Sequence, residues 1–190
     1  MGQSLSGLDY KLHYAMKANN QPKVLSLMKD LGCGVDTVSM GEMNWALDHG
    51  FEPSDIILSG VGKSKLELQA SVEKDIHQIN VESLAELQRL GEICKSLKTR
   101  GRFGIRLNPD IKVDTHPYIS TGFRENKFGV PEKQLNQAIK IVQSFSPWLE
   151  WQGLSVHIGS QIRDLAPLVE SAEALVRVKK FLGHYNMDIS

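Results

Sequence analysis

A lysine followed by small and turn-forming residues closes the first extended run of this chain, His13–Tyr14–Ala15–Met16–Lys17–Ala18–Asn19–Asn20. Tyr10, Leu12, Tyr14 and Met16 alternate with Lys11, His13 and Ala15, the two-residue period of a half-buried strand. Barrel enzymes place their chemistry at the carboxyl end of such a strand, just before the loop. An ammonium is costly to bury there, and the same site can make the amine neutral and nucleophilic. The plainer reading is a strand-end lysine whose stem lies on the protein while its charge stays in water.

Four more polar clusters end predicted strands in the same way. They are Asp36–Thr37–Val38–Ser39–Met40–Gly41–Glu42, Ser59–Gly60–Val61–Gly62–Lys63–Ser64, Arg106–Leu107–Asn108–Pro109 and His157–Ile158–Gly159–Ser160–Gln161. In a barrel these ends converge on one face, so a lysine, an aspartate, an arginine and a histidine share one mouth. Taken singly, each has an ordinary explanation. Gly60–Val61–Gly62–Lys63–Ser64 looks like the tail of a phosphate loop, but Ile57 stands where its first glycine belongs, and we read it as a βα turn. Arg106, on an apolar strand, needs either a structural ion pair or an anionic ligand. Glu42 suits the positive end of a helix dipole. His157 could be a satisfied core histidine, although the glycine and serine that follow suit close approach of a ligand.

Strands and helices alternate to position these ends. Predicted strands at Tyr10–Met16, Cys33–Ser39, Asp55–Ser59, Ile76–Asn80, Gly104–Asn108 and Gly153–Ile158 are each followed by a segment of helical period. Those helices are expected over Pro22–Leu31, Glu42–His49, Lys63–Glu73, Glu82–Leu97, from Pro131, and over Leu165–Leu182. Met187–Ser190 reads as a seventh strand beginning. Strict alternation implies a parallel sheet with crossover helices. No Gly-x-Gly-x-x-Gly follows the first strand, which disfavours a dinucleotide-binding open sheet. The expected fold is therefore an α/β, parallel (β/α)8 TIM-type barrel, cut short after about six βα units, since a closed barrel takes about 250 residues.

The bulk properties fit that class. Twenty-two basic and 22 acidic side chains balance, so no charge footprint for nucleic acid or an anionic membrane is present. No apolar run approaches the ~18 residues of a membrane span, and the first seven residues lack a signal-peptide pattern. Cys33 and Cys94 lie far apart without metal-ligand spacing, so no metal is expected, and free thiols in a reducing cytoplasm are the default. The run from His116 to Gly122 falls in a connection longer than usual, a feature of functional or disordered loops.

Taken together, Tyr14–Ala15–Met16–Lys17–Ala18–Asn19, Val38–Ser39–Met40–Gly41–Glu42, Arg106–Leu107–Asn108–Pro109, His116 to Gly122, Lys127–Phe128–Gly129 and His157–Ile158–Gly159–Ser160–Gln161 carry a family resemblance. The chain resembles the barrel domain of the pyridoxal-phosphate-dependent decarboxylases of the alanine-racemase-like fold type. The motifs occur in family order over nearly the whole chain. His116–Pro117–Tyr118–Ile119–Ser120–Thr121–Gly122 points to the diaminopimelate branch rather than to the ornithine or arginine enzymes.

The resemblance implies that residues 1–190 form an incomplete barrel domain that binds pyridoxal 5'-phosphate. Lys17 would hold the cofactor covalently, and His157 would stack on one face of its ring. Ser160 would contact the phosphate, while Asp36 and Arg106 line the pocket, Arg106 near the ring hydroxyl. Lys17 and His157 are then the catalytic pair. The implied activity is decarboxylation of the amino acid meso-diaminopimelate to L-lysine, in lysine biosynthesis, by a cytoplasmic parent enzyme that is a homodimer. The family's glycine-rich phosphate loop, Glu-Pro-Gly-Arg segment and C-terminal β domain have no counterpart before Ser190, so the chain is expected to be a fragment, inactive alone. Two alternatives stay open: a non-catalytic cofactor-binding or partner module, and a decarboxylase of the ornithine or arginine type.

Overall fold

A computed structural model describes residues 7–109, 128–159, 162, 164–187 and 189. Among them, six strand–helix units follow one another. The strands are β1 (His13–Ala15), β2 (Gly34–Thr37), β3 (Ile56–Leu58), β4 (Gln78–Val81), β5 (Gly101–Asn108), β6 (Val130–Pro131) and β7 (Leu149–Val156). The helices are α1 (Pro22–Asp30), α2 (Met40–Asp48), α3 (Lys65–Glu73), α4 (Leu84–Leu97), α5 (Leu135–Ser144) and α6 (Ala166–Gly183). The sheet order is β1-β2-β3-β4-β5, with β6 and β7 both pairing with β5, and every pairing is parallel. This is the partial α/β barrel that the alternation predicts.

Side-chain period divides the sheet into an apolar and a polar face. Val35, Ile56, Leu58, Ile79, Val81, Phe103, Ile105 and Leu107 occupy one face, each sealed from water in a core shared with Leu25, Met43, Leu68, Leu87, Leu90 and Ile139 of the helices. Asp36, Ser59, Gln78, Asn80 and Arg106 fall on the other face and are half-buried. Burying one such Leu, Ile or Phe side chain stabilises by roughly 1.5–3 kcal/mol. That burial holds the register on which the polar face depends.

Three serines with a glutamate three residues later set where the helices start. Ser39, Ser64 and Ser83 cap α2, α3 and α4 by accepting from the backbone N–H of Glu42, Glu67 and Glu86, each at 3.2 Å. Glu67 returns the bond to the Ser64 N–H at 2.8 Å, completing a capping box. Glu42 instead takes the Val38 N–H at 2.8 Å, which folds the loop after β2 against its helix. Ser39 and Ser83 sit two residues after the ends of β2 and β4, and Ser64 closes the turn after β3, so each cap fixes part of the mouth.

The differences from expectation lie at the strand ends. β1 spans three residues, because Met16–Ala18 turn into a 3-10 helix as Met16 enters the core. β5 begins at Gly101 and β7 at Leu149, both earlier than expected, since the pairing Gly101–Leu149 starts the ladder. Val130–Pro131 form a short strand against Leu107–Asn108 where a helix start was expected, and α5 begins only at Leu135, after a 3-10 turn at Glu132–Gln134. Pro131 has φ −62° and ψ 147°, an extended conformation that ends a strand as readily as it precedes a helix. Met187 and Ile189 lie in no strand, although Ile189 is buried in the core.

A slip in the β5–β7 ladder decides which face the end of β7 presents. Phe103 pairs with Trp151, but Gly104 pairs with Gly153, leaving Gln152 as an extra residue. Before this bulge Leu149 and Trp151 join the apolar core, and the Phe103 and Trp151 rings stack at 5.7 Å. After it, Ser155 aligns with Arg106 on the polar face, and two residues on His157 shares that face.

At the opposite end of the sheet His13 stacks on His77 with ring centroids 5.7 Å apart, beside the Lys11–Asp55 ion pair. Burial lowers both imidazole pKa values, and at His77 the neighbouring charges of His13 and Arg102 lower it further. The unfolded chain therefore binds more protons than the folded one just below the ordinary histidine range, and stability rises with pH there. Denaturant midpoints should fall as pH drops from about 7 to about 5, and His77→Gln should flatten that slope. An unchanged slope in the variant would show that this pair does not carry the dependence.

Candidate active site

Six strand ends supply the polar mouth. Lys17 stands on the 3-10 turn after β1, exposed, while its neighbour Met16 is fully buried. Tyr14 Oη donates to the Asn19 carbonyl at 3.1 Å, and the Asn19 side chain accepts from the Gln21 N–H at 3.0 Å, so the loop carrying Lys17 is braced on both sides. Among the described residues the Lys17 ammonium has no hydrogen-bond or ion-pair partner.

Asp36 lies on β2 with Thr37 behind it, whose hydroxyl donates to the Ile57 carbonyl of β3 at 2.9 Å. Asp36 accepts from Ser59, the residue after β3. Arg106 on β5 donates through Nη1 to both oxygens of Glu82, each at 2.8 Å, with the Glu82 side chain only 5% exposed. Both outcomes foreseen for Arg106 bear on this arrangement. The ion pair is present, and it orients a guanidinium whose remaining N–H groups face no described partner.

His157 follows β7 and is exposed, with Ile158 buried behind it and Gly159 at φ +118°. Its imidazole pKa is lowered, first by burial and then by the positive charges of Arg106 and Lys17, against opposing pulls from Glu82 and Asp36. The charged groups ending β1, β2, β4 and β5 thus all bias the proton on His157. The ends converge as the alternation predicts. Ser160 and the runs from His116 to Gly122 and at Lys127 lie outside the described residues.

The Gly60–Lys63 segment is a turn, with Gly60 at φ +99° and Gly62 at φ +74°. Lys63 is 4% exposed and turns inward: its ammonium donates to the carbonyls of Gly60 and Asn80, both at 2.7 Å, and meets Glu86 at 2.7 Å. Burial raises the Glu86 pKa, and Lys63 opposes that rise. Such a lysine has no hydrogen left for a phosphate. Glu82 and Asn80 are site features that motif reading missed, and it gave Ser59 and Lys63 no role beyond a βα turn. The Ser-x-x-Glu caps at Ser64 and Ser83 were the available signal for the turns, but no motif marks the lateral bonds.

A phosphorylated pyridine aldehyde is a chemical match for this donor set. The mouth offers an uncommitted amine, a flat imidazole and a guanidinium held through one nitrogen. Comparison with known proteins agrees. The profile of the pyridoxal-binding domain of pyridoxal-dependent decarboxylases matches residues 1–190.

The chain belongs to the pyridoxal-dependent decarboxylase family. Among its relatives, a diaminopimelate decarboxylase of Helicobacter pylori is 41% identical over 187 residues, covering 98% of this chain and 46% of the relative. One of Campylobacter jejuni is 41% identical over 179 residues, covering 94% and 44%. The crystal structure of the Helicobacter pylori enzyme complexed with L-lysine superposes with a TM-score of 0.91 at 40% identity, covering 99% of this chain and 48% of that one. The chain spans about half the length of the curated relatives it matches. Among the described residues no helix is long and apolar enough to cross a membrane, and no group of three acidic, histidine or cysteine side chains could hold a metal ion.

The electrostatics of this mouth can be read at His157. Ring resonances followed by NMR should titrate below the ordinary histidine value. Lys17→Met should move the midpoint up, because one of the charges lowering it is gone. A midpoint unmoved by the substitution would separate Lys17 from the His157 surface.

Proposed function

We propose that this chain supplies the cofactor-binding half of a diaminopimelate decarboxylase, which removes carbon dioxide from meso-diaminopimelate to give L-lysine. The convergence of Lys17, Asp36, Arg106 and His157 at one end of a parallel sheet, in a chain of this family, is the observation that carries the reading. Its relatives' names and the lysine-bound neighbour favour the diaminopimelate substrate over ornithine or arginine.

When bound, pyridoxal 5'-phosphate supplies an electron sink for the bond that breaks. Lys17 would hold the cofactor through its aldehyde carbon, since its amine has no hydrogen-bond or ion-pair partner among the described residues and is exposed. His157, whose imidazole pKa is lowered by burial and by the charges of Arg106 and Lys17 in the free chain, would present its flat ring to the pyridine ring. Arg106, held through Nη1 by Glu82, would keep its other N–H groups for an oxygen of the cofactor. Asp36 lines the pocket beside β1, and Ser160 is the proposed phosphate contact.

The domain assignment follows: residues 1–190 act as the pyridoxal-phosphate barrel portion, paired in the active enzyme with a β domain and a second subunit. The balance of 22 basic and 22 acidic groups supports a small-molecule partner rather than nucleic acid. Two free cysteines, one buried with its thiol pushed up to about 11, support a cytoplasmic setting.

The test is reconstitution. The chain, mixed with pyridoxal phosphate and the C-terminal half of the Helicobacter pylori relative, should form lysine and carbon dioxide from meso-diaminopimelate. Lys17→Ala should abolish turnover. Preferred use of ornithine or arginine would move the assignment to those enzymes, and cofactor uptake without turnover would favour a binding module.

A further inference from the structure

Gln78, Asn80, Ser59 and Asp36 form one line of side-chain hydrogen bonds across β4, β3 and β2 on the polar face. Gln78 Nε2 donates to Asn80 Oδ1 at 2.7 Å, Asn80 Nδ2 donates to Ser59 Oγ at 3.0 Å, and Ser59 Oγ donates to Asp36 Oδ1 at 2.5 Å. The carboxylate imposes this direction. An ionised Asp36 can only accept, so Ser59 must give it its single proton. The Ser59 oxygen is then left to accept, which forces the amide nitrogen of Asn80 toward it and the amide oxygen toward Gln78. Every donor in the line points at Asp36.

The backbone beneath the line is pinned as well. Lys63 holds the carbonyl of Asn80 and that of Gly60, the residue after Ser59, and is itself anchored by buried Glu86. The absence of a side chain at Gly104 makes room at the far end, since a Cβ there would stand 2.5 Å from Gln78 Nε2. A half-buried polar chain whose donors all run one way specifies one arrangement, because reversing any member strands a donor against a donor.

We propose that Ser59 and Asn80 are positioning residues of the cofactor site. They hold the Asp36 carboxylate in one orientation, with Oδ1 occupied by Ser59 and Oδ2 kept for the bound group. This rests on the proposed function, in which Asp36 lines the pyridoxal-phosphate pocket. Neither side chain touches the cofactor; both act through Asp36. The Gly60–Ser64 turn, whose Lys63 ammonium is committed to Gly60, Asn80 and Glu86, serves the site by fixing this line from below.

The experiment titrates the full chain with pyridoxal phosphate, following the visible absorbance of the bound cofactor, with circular dichroism confirming that each variant is folded. Ser59→Ala should weaken binding about tenfold, the effect of one lost hydrogen bond to a charged group, while Ser59→Thr, which keeps the hydroxyl, should stay within about twofold. Asn80→Asp has the same shape but cannot donate to Ser59, and should follow Ser59→Ala. In an Asp36→Ala background, Ser59→Ala should add nothing, because the two act as a unit. That cycle decides even where Asn80→Asp fails to fold. Wild-type affinity in Ser59→Ala, or an equal loss with and without Asp36, overturns the inference while leaving the proposed function standing. A wild-type chain that takes up no pyridoxal phosphate overturns both.

Discussion

Parallel pairing with one face sealed is the constraint on which the rest of the structure depends. Val35, Ile56, Leu58, Ile79, Phe103 and their neighbours cannot leave the helix side without exposing apolar surface, so register is held residue by residue. The residues between them are thereby committed to the other face. Because every strand runs the same way, each delivers its last polar side chain to the same end. Lys17, Asp36, Glu82, Arg106 and His157 meet without one dedicated contact between helices.

The polar face has its own requirement, since half-buried groups there must find partners within the sheet. Six of them do so laterally, Asp36 to Ser59 to Asn80 to Gln78 in one layer and Arg106 to Glu82 in another, while the Ser155 hydroxyl has no partner among the described residues. Lys63 and Glu86 join the two layers to α4 through a buried ion pair. Such a pair contributes little net stability but is costly to break from one side, which suits a part that sets geometry. The bulge at Gln152 completes the mouth. It moves the end of β7 from the apolar to the polar face, so that one strand contributes Trp151 to the core and His157 to the site.

Much of this could be read from residues in order along the chain. Alternation of strand and helix predicts the parallel sheet, and polar clusters after strands predict which side chains converge. Lys17, Asp36, Arg106 and His157 all lie where that reasoning puts them. What it missed is lateral. The Arg106–Glu82 pair joins residues 24 apart, and Glu82 reads locally as the start of a helix. Ser59 and Asn80 reveal their bond only once the register sets β3 beside β4. Strand β6 escaped notice because two residues carry no period, and the early start of β7 because its bulge breaks the alternation.

The central claim is that the convergent mouth binds pyridoxal phosphate through Lys17. The most direct measurement adds the cofactor to the chain, fixes the adduct with borohydride and maps the modified lysine by mass spectrometry. The account predicts a single dominant modification at Lys17, lost in Lys17→Ala. Modification spread over exposed lysines, or persisting at another lysine in that variant, would contradict it.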